Sequence, residues 1–303
     1  MFDTFPKTVS FVEVGPRDGL QNEKEIISLD DKITYIEKLI EAGHEAIEVT
    51  SFVRPDAIPQ MGDATELYSK LSSLNNTNNV RFLCLVPNIT GYQAAKACGV
   101  KEIALFSATS NSFTKKNINC TVDESFERME EVIKLAKADG VKIRAYISTA
   151  FGCPYEGDMS KEALLDVIQK FIAYNIEDIS IGDTIGVATP KQVDEYLSFI
   201  LEKVDKKKIA MHFHDTRGMA LSNILISLKH GITNYDSSSG GLGGCPYANG
   251  ATGNVATEDL VYLFDSLNIK HNLDEGKLIE ASKFILKKVN KESPSKYFQA
   301  KTK

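Results

Sequence analysis

The feature that most restricts the fold of this chain is a regular alternation of short β-type runs with longer amphipathic helical patterns. Eight such pairs follow one another along the sequence. The predicted strands are residues 9–14, 46–50, 80–86, 102–108, 142–148, 178–181, 209–213 and 235–238. The predicted helices are residues 29–42, 63–72, 91–98, 123–138 (capped by Thr121 or Asp123), 161–174, 190–204, 220–230, 258–266 and 278–289.

Eight successive pairs predict a TIM (β/α)8 barrel with a short C-terminal helical extension. An open doubly wound sheet is the alternative, but that fold places a glycine-rich phosphate turn after its first strand, and here the first turn is charged. No linker or repeat interrupts the pattern over 303 residues. We therefore expect a single catalytic domain over 1–303, with a peripheral, frayed tail beyond about residue 287.

Composition excludes several classes of partner. The net charge is −6, which leaves no basic footprint for nucleic acid. No apolar run is long enough to span a membrane. The five cysteines include no CxxC pair and read as free thiols in a reducing compartment. Because neither end of the sequence carries a recognisable targeting signal, we expect a cytoplasmic protein that acts on a small molecule.

In a (β/α)8 barrel the active site lies at the carboxyl ends of the strands. That rule selects polar residues at five strand ends: Arg17, Asp18, Glu48, Thr50, Ser51, Asp183, Thr184, His212, His214 and Asn254. Asn254 closes a glycine-rich stretch, GGLGGCPYANGATGN (240–254), that centres on Cys245. So many glycines allow tight bends and close approach of a ligand, so the stretch is interpreted as a mobile catalytic lid, with a surface turn as the alternative.

His212 and His214 are two apart on a strand, so both imidazoles face the barrel mouth. With Asp18 and Asn254 they form a mixed nitrogen and oxygen set that suits Mg²⁺ or Mn²⁺ better than structural zinc. The alternatives are a polar core pair for the histidines, a turn residue for Asp18 and a helix cap for Asn254.

A fixed cation next to such a site could stabilise an enolate oxygen or a carboxylate, and Arg17 is placed to supply it. A surface ion pair is its alternative role. Glu48 and Asp183 are expected to orient Arg17 and the ligands, or else to belong with Arg144 to a structural network.

Seven segments carry a family resemblance. They are VEVGPRDGLQNE (12–23), IEVTSF (47–52), FTKKNINC (113–120), GCPYEG (152–157), GDTIG (182–186), HFHDT (212–216) and GLGGCPYANGATGNVATEDLVY (241–262). Together they resemble the hydroxymethylglutaryl-CoA lyases, within the metal-dependent TIM-barrel lyases and Claisen synthases. The resemblance spans nearly the whole chain.

This resemblance implies cleavage of 3-hydroxy-3-methylglutaryl-CoA to acetyl-CoA and acetoacetate, as in leucine breakdown and ketone body formation. It implies a homodimer and a CoA-thioester substrate. The implied site is Asp18, His212, His214 and Asn254 for the Mg²⁺ or Mn²⁺ ion; Arg17, Asp18, His212, Cys245, Glu48 and Asp183 for catalysis; and Arg17, Gln21, Asn22, Ser51 and Thr184 for the substrate. Asp18 or His212 is the candidate base, and Cys245 or His212 the candidate proton donor.

Three positions depart from the usual family pattern: Val49, Arg217 and the pair Ser239-Gly240. Because Arg217 could change acyl preference, a longer-chain 3-hydroxyglutaryl-CoA is one alternative substrate. A Claisen-type synthase is a second alternative, although it would be expected to lack the Cys245 loop and to carry a C-terminal regulatory extension. A non-catalytic binding module is a third, disfavoured by Arg17, Asp18, His212 and Cys245.

Overall fold

The computed structural model describes residues 4–78, 80–244 and 253–303, with side chains for all of these except 73–78. Eight parallel strands close into one barrel in the order β1-β8-β7-β6-β5-β4-β3-β2, and β2 pairs back with β1. The strands are β1 (Ser10–Glu13), β2 (Ala46–Ser51), β3 (Arg81–Leu85), β4 (Glu102–Ala108), β5 (Lys142–Ser148), β6 (Ile179–Asp183), β7 (Ile209–Phe213) and β8 (Asn234–Ser237). The predicted TIM-barrel fold is confirmed.

Helices between and after the strands cover the outside of the barrel. They are α1 (Leu29–Glu41), α2 (Ala64–Asn78), α3 (Ile89–Ala97), α4 (Asn111–Ile118), α5 (Val122–Ala138), α6 (Lys161–Ala173), α7 (Pro190–Leu201), α8 (Ala220–Lys229), α9 (Thr257–Ser266), α10 (Glu275–Val289) and α11 (Lys296–Thr302). Side-chain caps explain many of their starts, and Thr121 forms a full capping box with Glu124 at α5, as one of the two predicted caps.

The first turn and helix α4 depart from the predicted pattern. The charged turn after β1 is a short π-helical segment, Gly15–Gly19, with Pro16 in its first turn. Helix α4 was not predicted, because only Phe113 and Thr114 of its residues are buried, which leaves too weak an apolar stripe to read from the sequence.

The expectation of a frayed C-terminal tail is wrong. After α10 the chain packs against the segment that follows β8 and against α9: Ser293 Oγ donates to the carbonyl oxygen of Gly240 (2.8 Å), and Ser295 Oγ donates to Asp259 Oδ1 (2.7 Å). Ser295 caps α11, and Phe298 is buried. The small polar residues of this segment make specific hydrogen bonds, so the segment is not a solvated tail.

The barrel holds charged side chains in its interior. Ile47 and Val49 pack in the main apolar core, whereas the intervening Glu48 binds Arg17 inside the barrel. Arg144 on β5 is among the largest fully buried side chains and bridges Asp178, near the lower end, to Asp236 on β8. Charged side chains therefore extend from the lower end of the barrel towards its mouth. None of the described helices has the length and apolarity of a membrane span.

Candidate active site

The turn that carries Arg17 and Asp18 is shaped by its glycine. The amides of Asp18 and Gly19 both donate to the carbonyl oxygen of Val14, at 2.8 and 3.1 Å, which closes the π-helical segment. A Cβ on Gly15 would collide with the Tyr35 hydroxyl and the Glu13 carboxyl, so a larger residue there would displace those buried groups. The tight turn brings two charged side chains directly over the end of β1.

Arg17 is held rigidly at the barrel mouth. Its Nε donates to Glu48 Oε2 at 2.6 Å and its Nη1 to Asp18 Oδ1 at 2.7 Å, while its guanidinium carbon lies 5.6 Å from the centre of the Tyr146 ring. Burial alone would lower the pKa of Arg17, but Glu48 and Asp18 raise it above its ordinary value. Arg17 is therefore a permanent, oriented cation, and the predicted pairing with Glu48 is observed.

The two histidines of β7 face the mouth together, as their spacing predicted. Their ring centres are 5.3 Å apart. At the end of the glycine-rich stretch the chain runs beside them. The amide of Val255 donates to the Phe213 carbonyl (3.0 Å), and the backbones of Asn254 and His214 form an isolated antiparallel β-bridge. Asn254 Nδ2 then donates to Asp18 Oδ2 at 2.8 Å, so Asn254 is a link within the site and not the cap of α9, which is Ala256.

The donor set has the chemistry of a divalent-cation site. Ligand atoms of Asp18, His212 and His214 all lie within 4.8 Å of one another. Among the described residues, buried His214 Nδ1 and Asn254 Oδ1 have no hydrogen-bond partner. Burial and His212 lower the pKa of His214 to about 4, so its imidazole is neutral and free to act as a ligand at neutral pH.

Asp18 is ready to bind a cation for the same reason. Burial works to raise its pKa, but the Arg17 guanidinium and both histidines hold that pKa well below its usual range. A carboxylate, a neutral imidazole and an unpaired amide oxygen are hard or borderline donors that suit a divalent ion. The residues present therefore fit the metal that the sequence predicted.

The sequence did not identify the partner of His212, which is Asp236 on β8. Asp236 Oδ2 lies 3.2 Å from His212 Nδ1 and accepts a hydrogen bond from Ser180 Oγ at 2.6 Å. Its Oδ1 accepts from Arg144 Nη2 at 2.6 Å. With Nδ1 engaged, His212 presents Nε2 to the mouth. The one available signal was an acidic residue within a strand that the barrel buries on both faces.

Asp236 also sets the charge balance of His212. Burial lowers the pKa of His212, but the contact with Asp236 and the charge of Asp18 overcome it and raise that pKa. Binding of a cation at Nε2 therefore competes with a proton, so the affinity for metal should fall in acid.

A cavity of about 550 Å³ opens above these groups. The predicted residues that line it are Arg17, Asp18, Gln21, Asn22, Thr184, His212 and His214. Tyr146 also lines it, and its buried hydroxyl has no hydrogen-bond partner among the described residues. The volume is that of a small-molecule site.

Other predicted site residues lie behind this surface. Among the described residues the cavity lining excludes Glu48, which sits beneath Arg17, and Ser51, whose Oγ donates to the Leu85 carbonyl at 3.3 Å. Asp183 accepts from the amides of residues 187 and 188 at 2.9 and 3.1 Å, so it shapes the loop after β6. Burial raises the pKa of Asp183 to about 6.

Arg217 binds the loop after β6 and does not line the cavity. Arg217 Nη1 donates to the carbonyl oxygens of Ile185 and Gly186, both at 2.9 Å, so it fastens the β6 loop and is absent from the described cavity lining. Cys245 lies outside the described residues.

The chain is similar to known proteins along almost its whole length. A family model described as HMGL-like matches residues 8–285. The human mitochondrial hydroxymethylglutaryl-CoA lyase is 48% identical over 297 residues, which cover 98% of this chain and 90% of the human protein. The rat cytoplasmic 3-hydroxy-3-methylglutaryl-CoA lyase is 46% identical, covering 97% of this chain and 85% of the rat protein. The crystal structure of hydroxymethylglutaryl-CoA lyase from Pseudomonas aeruginosa superimposes with a TM-score of 0.94 and 42% identity over 98% of each chain.

Proposed function

The chain belongs to the HMGL-like family, and from that membership we infer that it is a carbon–carbon lyase that cleaves 3-hydroxy-3-methylglutaryl-CoA to acetyl-CoA and acetoacetate. The resemblance drawn from the sequence motifs is confirmed. One observation carries the conclusion from the structure itself: Asp18, His212 and His214 converge at the barrel mouth with the Arg17 cation beside them. This arrangement supports a reaction that removes a hydroxyl proton and forms an enolate.

The family depends on a metal, and we propose Mg²⁺ or Mn²⁺ as the ion here. Asp18, His212, His214 and Asn254 are the residues that would hold it, since they offer oxygen and imidazole donors with no described thiol nearby. When bound, such an ion polarises the substrate oxygens and makes the tertiary hydroxyl more acidic.

The reaction breaks the bond between carbons 2 and 3 of the acyl chain. A base takes the proton of the C3 hydroxyl, the oxygen electrons form the ketone of acetoacetate, and the electrons of the broken bond pass to the thioester as an enolate. Arg17 donates to that enolate oxygen, and a proton then reaches C2 to give acetyl-CoA. Asp18 and His212 are both placed to act as the base, and we leave both as candidates.

Cys245 remains our proposal for the proton donor, with His212 as the alternative. If the thiol acts in the transition state, Cys245→Ala should lower kcat far more than it changes KM. An unchanged kcat would assign Cys245 a role in the loop alone.

Gln21, Asn22 and Thr184 are proposed to contact the substrate, because they line the cavity. Glu48, Asp183 and Ser51 lie one layer further from it, so we propose that they act by holding Arg17, the β6 loop and the end of β2. To contact the acyl chain, Arg217 would have to give up its hydrogen bonds to the two carbonyl oxygens. For this reason a longer-chain 3-hydroxyglutaryl-CoA ranks second as a substrate. A Claisen-type synthesis ranks third as a function.

The remaining proposals concern the whole protein. We propose one catalytic domain over residues 1–303, a homodimer, a role in leucine breakdown, and a cytoplasmic location, which the rat cytoplasmic relative supports. Light scattering of the purified protein would test the dimer.

The experiment that tests the function is acetoacetate release from 3-hydroxy-3-methylglutaryl-CoA by purified protein, before and after chelation and on return of Mg²⁺. We expect release that requires the metal and is abolished in His212→Ala. His230→Ala is the matched control, since His230 Nε2 bonds Asp194 on the outer helices. No release from folded, reduced, metal-supplied protein would contradict the proposal and direct the assay to longer-chain thioesters.

A further inference from the structure

We propose that Glu13 is a positioning residue of the lyase site, whose carboxyl group fixes the Arg17–Asp18 turn relative to the segments on both sides of the glycine-rich stretch. The inference rests on the proposed function for its activity measurement only. Glu13 ends β1 and is completely buried, yet it does not line the cavity described above. Its effect on the reaction must therefore pass through the groups it binds.

The Glu13 carboxyl joins three segments of the chain. Its Oε1 accepts from the amide of Gly15 at 2.9 Å and from the amide of Ser239 at 2.8 Å. Its Oε2 lies 2.8 Å from Thr257 Oγ1. Gly15 opens the turn that carries Arg17 and Asp18, Ser239 follows β8, and Thr257 begins α9. One side chain thus connects the turn that carries Arg17 and Asp18 to the segments before and after the glycine-rich stretch.

Two hydrogen bonds nearer the cavity depend on this connection. Asn254 Nδ2 reaches Asp18 Oδ2 at 2.8 Å, and Asn22 Nδ2 reaches the Gly244 carbonyl at 3.0 Å. Each joins the β1 turn to one side of the glycine-rich stretch. If the turn moved relative to Ser239 and Thr257, both contacts would be lost, and Asp18 and Asn254 would no longer face a common ion.

The surroundings of Glu13 indicate that its shape matters more than its charge. The titratable groups that face it are Tyr35 of α1, His44 and Glu258 of α9, and no described Lys or Arg pairs with it. Burial, only partly offset by its three hydrogen bonds, raises the pKa of Glu13 to about 8. Burial lowers the pKa of His44 to about 3, so the imidazole 3.5 Å away is neutral.

A neutral Glu13 is compatible with all three of its hydrogen bonds. Thr257 Oγ1 lies 2.8 Å from both Glu13 Oε2 and Ser237 Oγ, and its single proton can be donated to only one of them. When Glu13 is neutral, Oε1 accepts from both amides and the proton on Oε2 can be donated to Thr257 Oγ1, which leaves the Thr257 proton for Ser237 Oγ. Glutamine reproduces this pattern, with its carbonyl at the Oε1 position and its NH₂ group facing Thr257. Aspartate keeps the acid but retracts it by one bond, ~1.5 Å, and cannot reach all three partners.

The test compares Glu13→Gln with Glu13→Asp. Each variant is measured for kcat and KM and, in metal-free form, for Mn²⁺ affinity by calorimetry. We expect Glu13→Gln to stay within about threefold of wild type in both. Glu13→Asp should lose about tenfold or more in kcat/KM and in Mn²⁺ affinity, because a displacement of ~1 Å at reacting groups lowers rates by up to about a hundredfold. Loss in both variants, or in neither, would overturn the proposal.

Two further variants separate positioning from folding. Glu102→Gln removes another buried carboxylate, which binds Arg81 at the opposite end of the barrel, and should lower stability without changing Mn²⁺ affinity. If Glu13→Asp does not fold, Thr257→Val takes its place in the test. It keeps the side-chain shape but removes the hydroxyl that contacts Glu13, and it should weaken Mn²⁺ binding severalfold. Wild-type affinity in Thr257→Val would contradict the inference. Wild-type protein that binds Mn²⁺ but releases no acetoacetate would instead contradict the proposed function.

Discussion

Replacing Asp236 with asparagine should weaken metal binding by about a hundredfold. Arg144 Nη2 requires an acceptor at the Oδ1 position, so the asparagine NH₂ group must take the Oδ2 position and face His212 Nδ1. His212 Nδ1 then has to accept, and its proton moves to Nε2, the atom that faces the mouth. Loss of such a supporting contact usually lowers metal affinity by about 10–100-fold, or about 1.4–2.7 kcal/mol, and the wrong tautomer favours the upper end.

The assay is a titration of metal-free protein with Mn²⁺. Binding is measured by calorimetry or by the loss of the free-ion electron paramagnetic resonance signal. Asp178→Asn is the matched control, because Asp178 also binds Arg144, at 2.6 and 2.7 Å, but does not touch His212. We expect the control to lose stability and keep its affinity. Folded Asp236→Asn with an affinity within about twofold of wild type, or an equal loss in both variants, would refute the reasoning.

Two other predictions concern the buried carboxyl groups of Glu48 and Glu258. Glu48→Gln removes the buried partner that orients Arg17, so kcat/KM should fall by about 10²–10³ while Mn²⁺ affinity changes little; normal kcat/KM would show that Arg17 needs no such support. Burial raises the pKa of Glu258 to about 7 from 4.5, so its stabilising contribution is complete below about pH 4.5 and is lost as the pH rises through 7. In urea denaturation, the free energy of unfolding of Glu258→Gln relative to wild type should therefore rise by about 1.4 kcal/mol per pH unit between about pH 5 and 7, and parallel pH profiles would contradict this.

The sequence predicted the fold and the centre of the site because both follow from short-range patterns. Strand and helix periodicities are local, and the barrel rule then places Asp18, His212 and His214 at one face without knowledge of any distance. The His-x-His spacing also predicted that both rings share a face, as observed.

The support beneath the site could not be read in the same way. Asp236 matters because side chains from β5, β6 and β7 meet it inside the barrel, and no spacing along the chain reports that meeting. Glu48 and Asp183 were identified as strand-end carboxylates, but strand position does not reveal which groups cover them. Arg17 lies over Glu48, and backbone amides of its own loop capture Asp183.

The last segment of the chain constrains how this protein can be engineered. Ser293 bonds Gly240, Pro294 packs against Gly241, and Lys291 pairs with Glu23 at 2.7 Å. A fusion or truncation directly after α10 would therefore remove contacts that hold the beginning of the glycine-rich stretch. A chimera that takes the glycine-rich stretch from another barrel must also take the residues that correspond to 291–295.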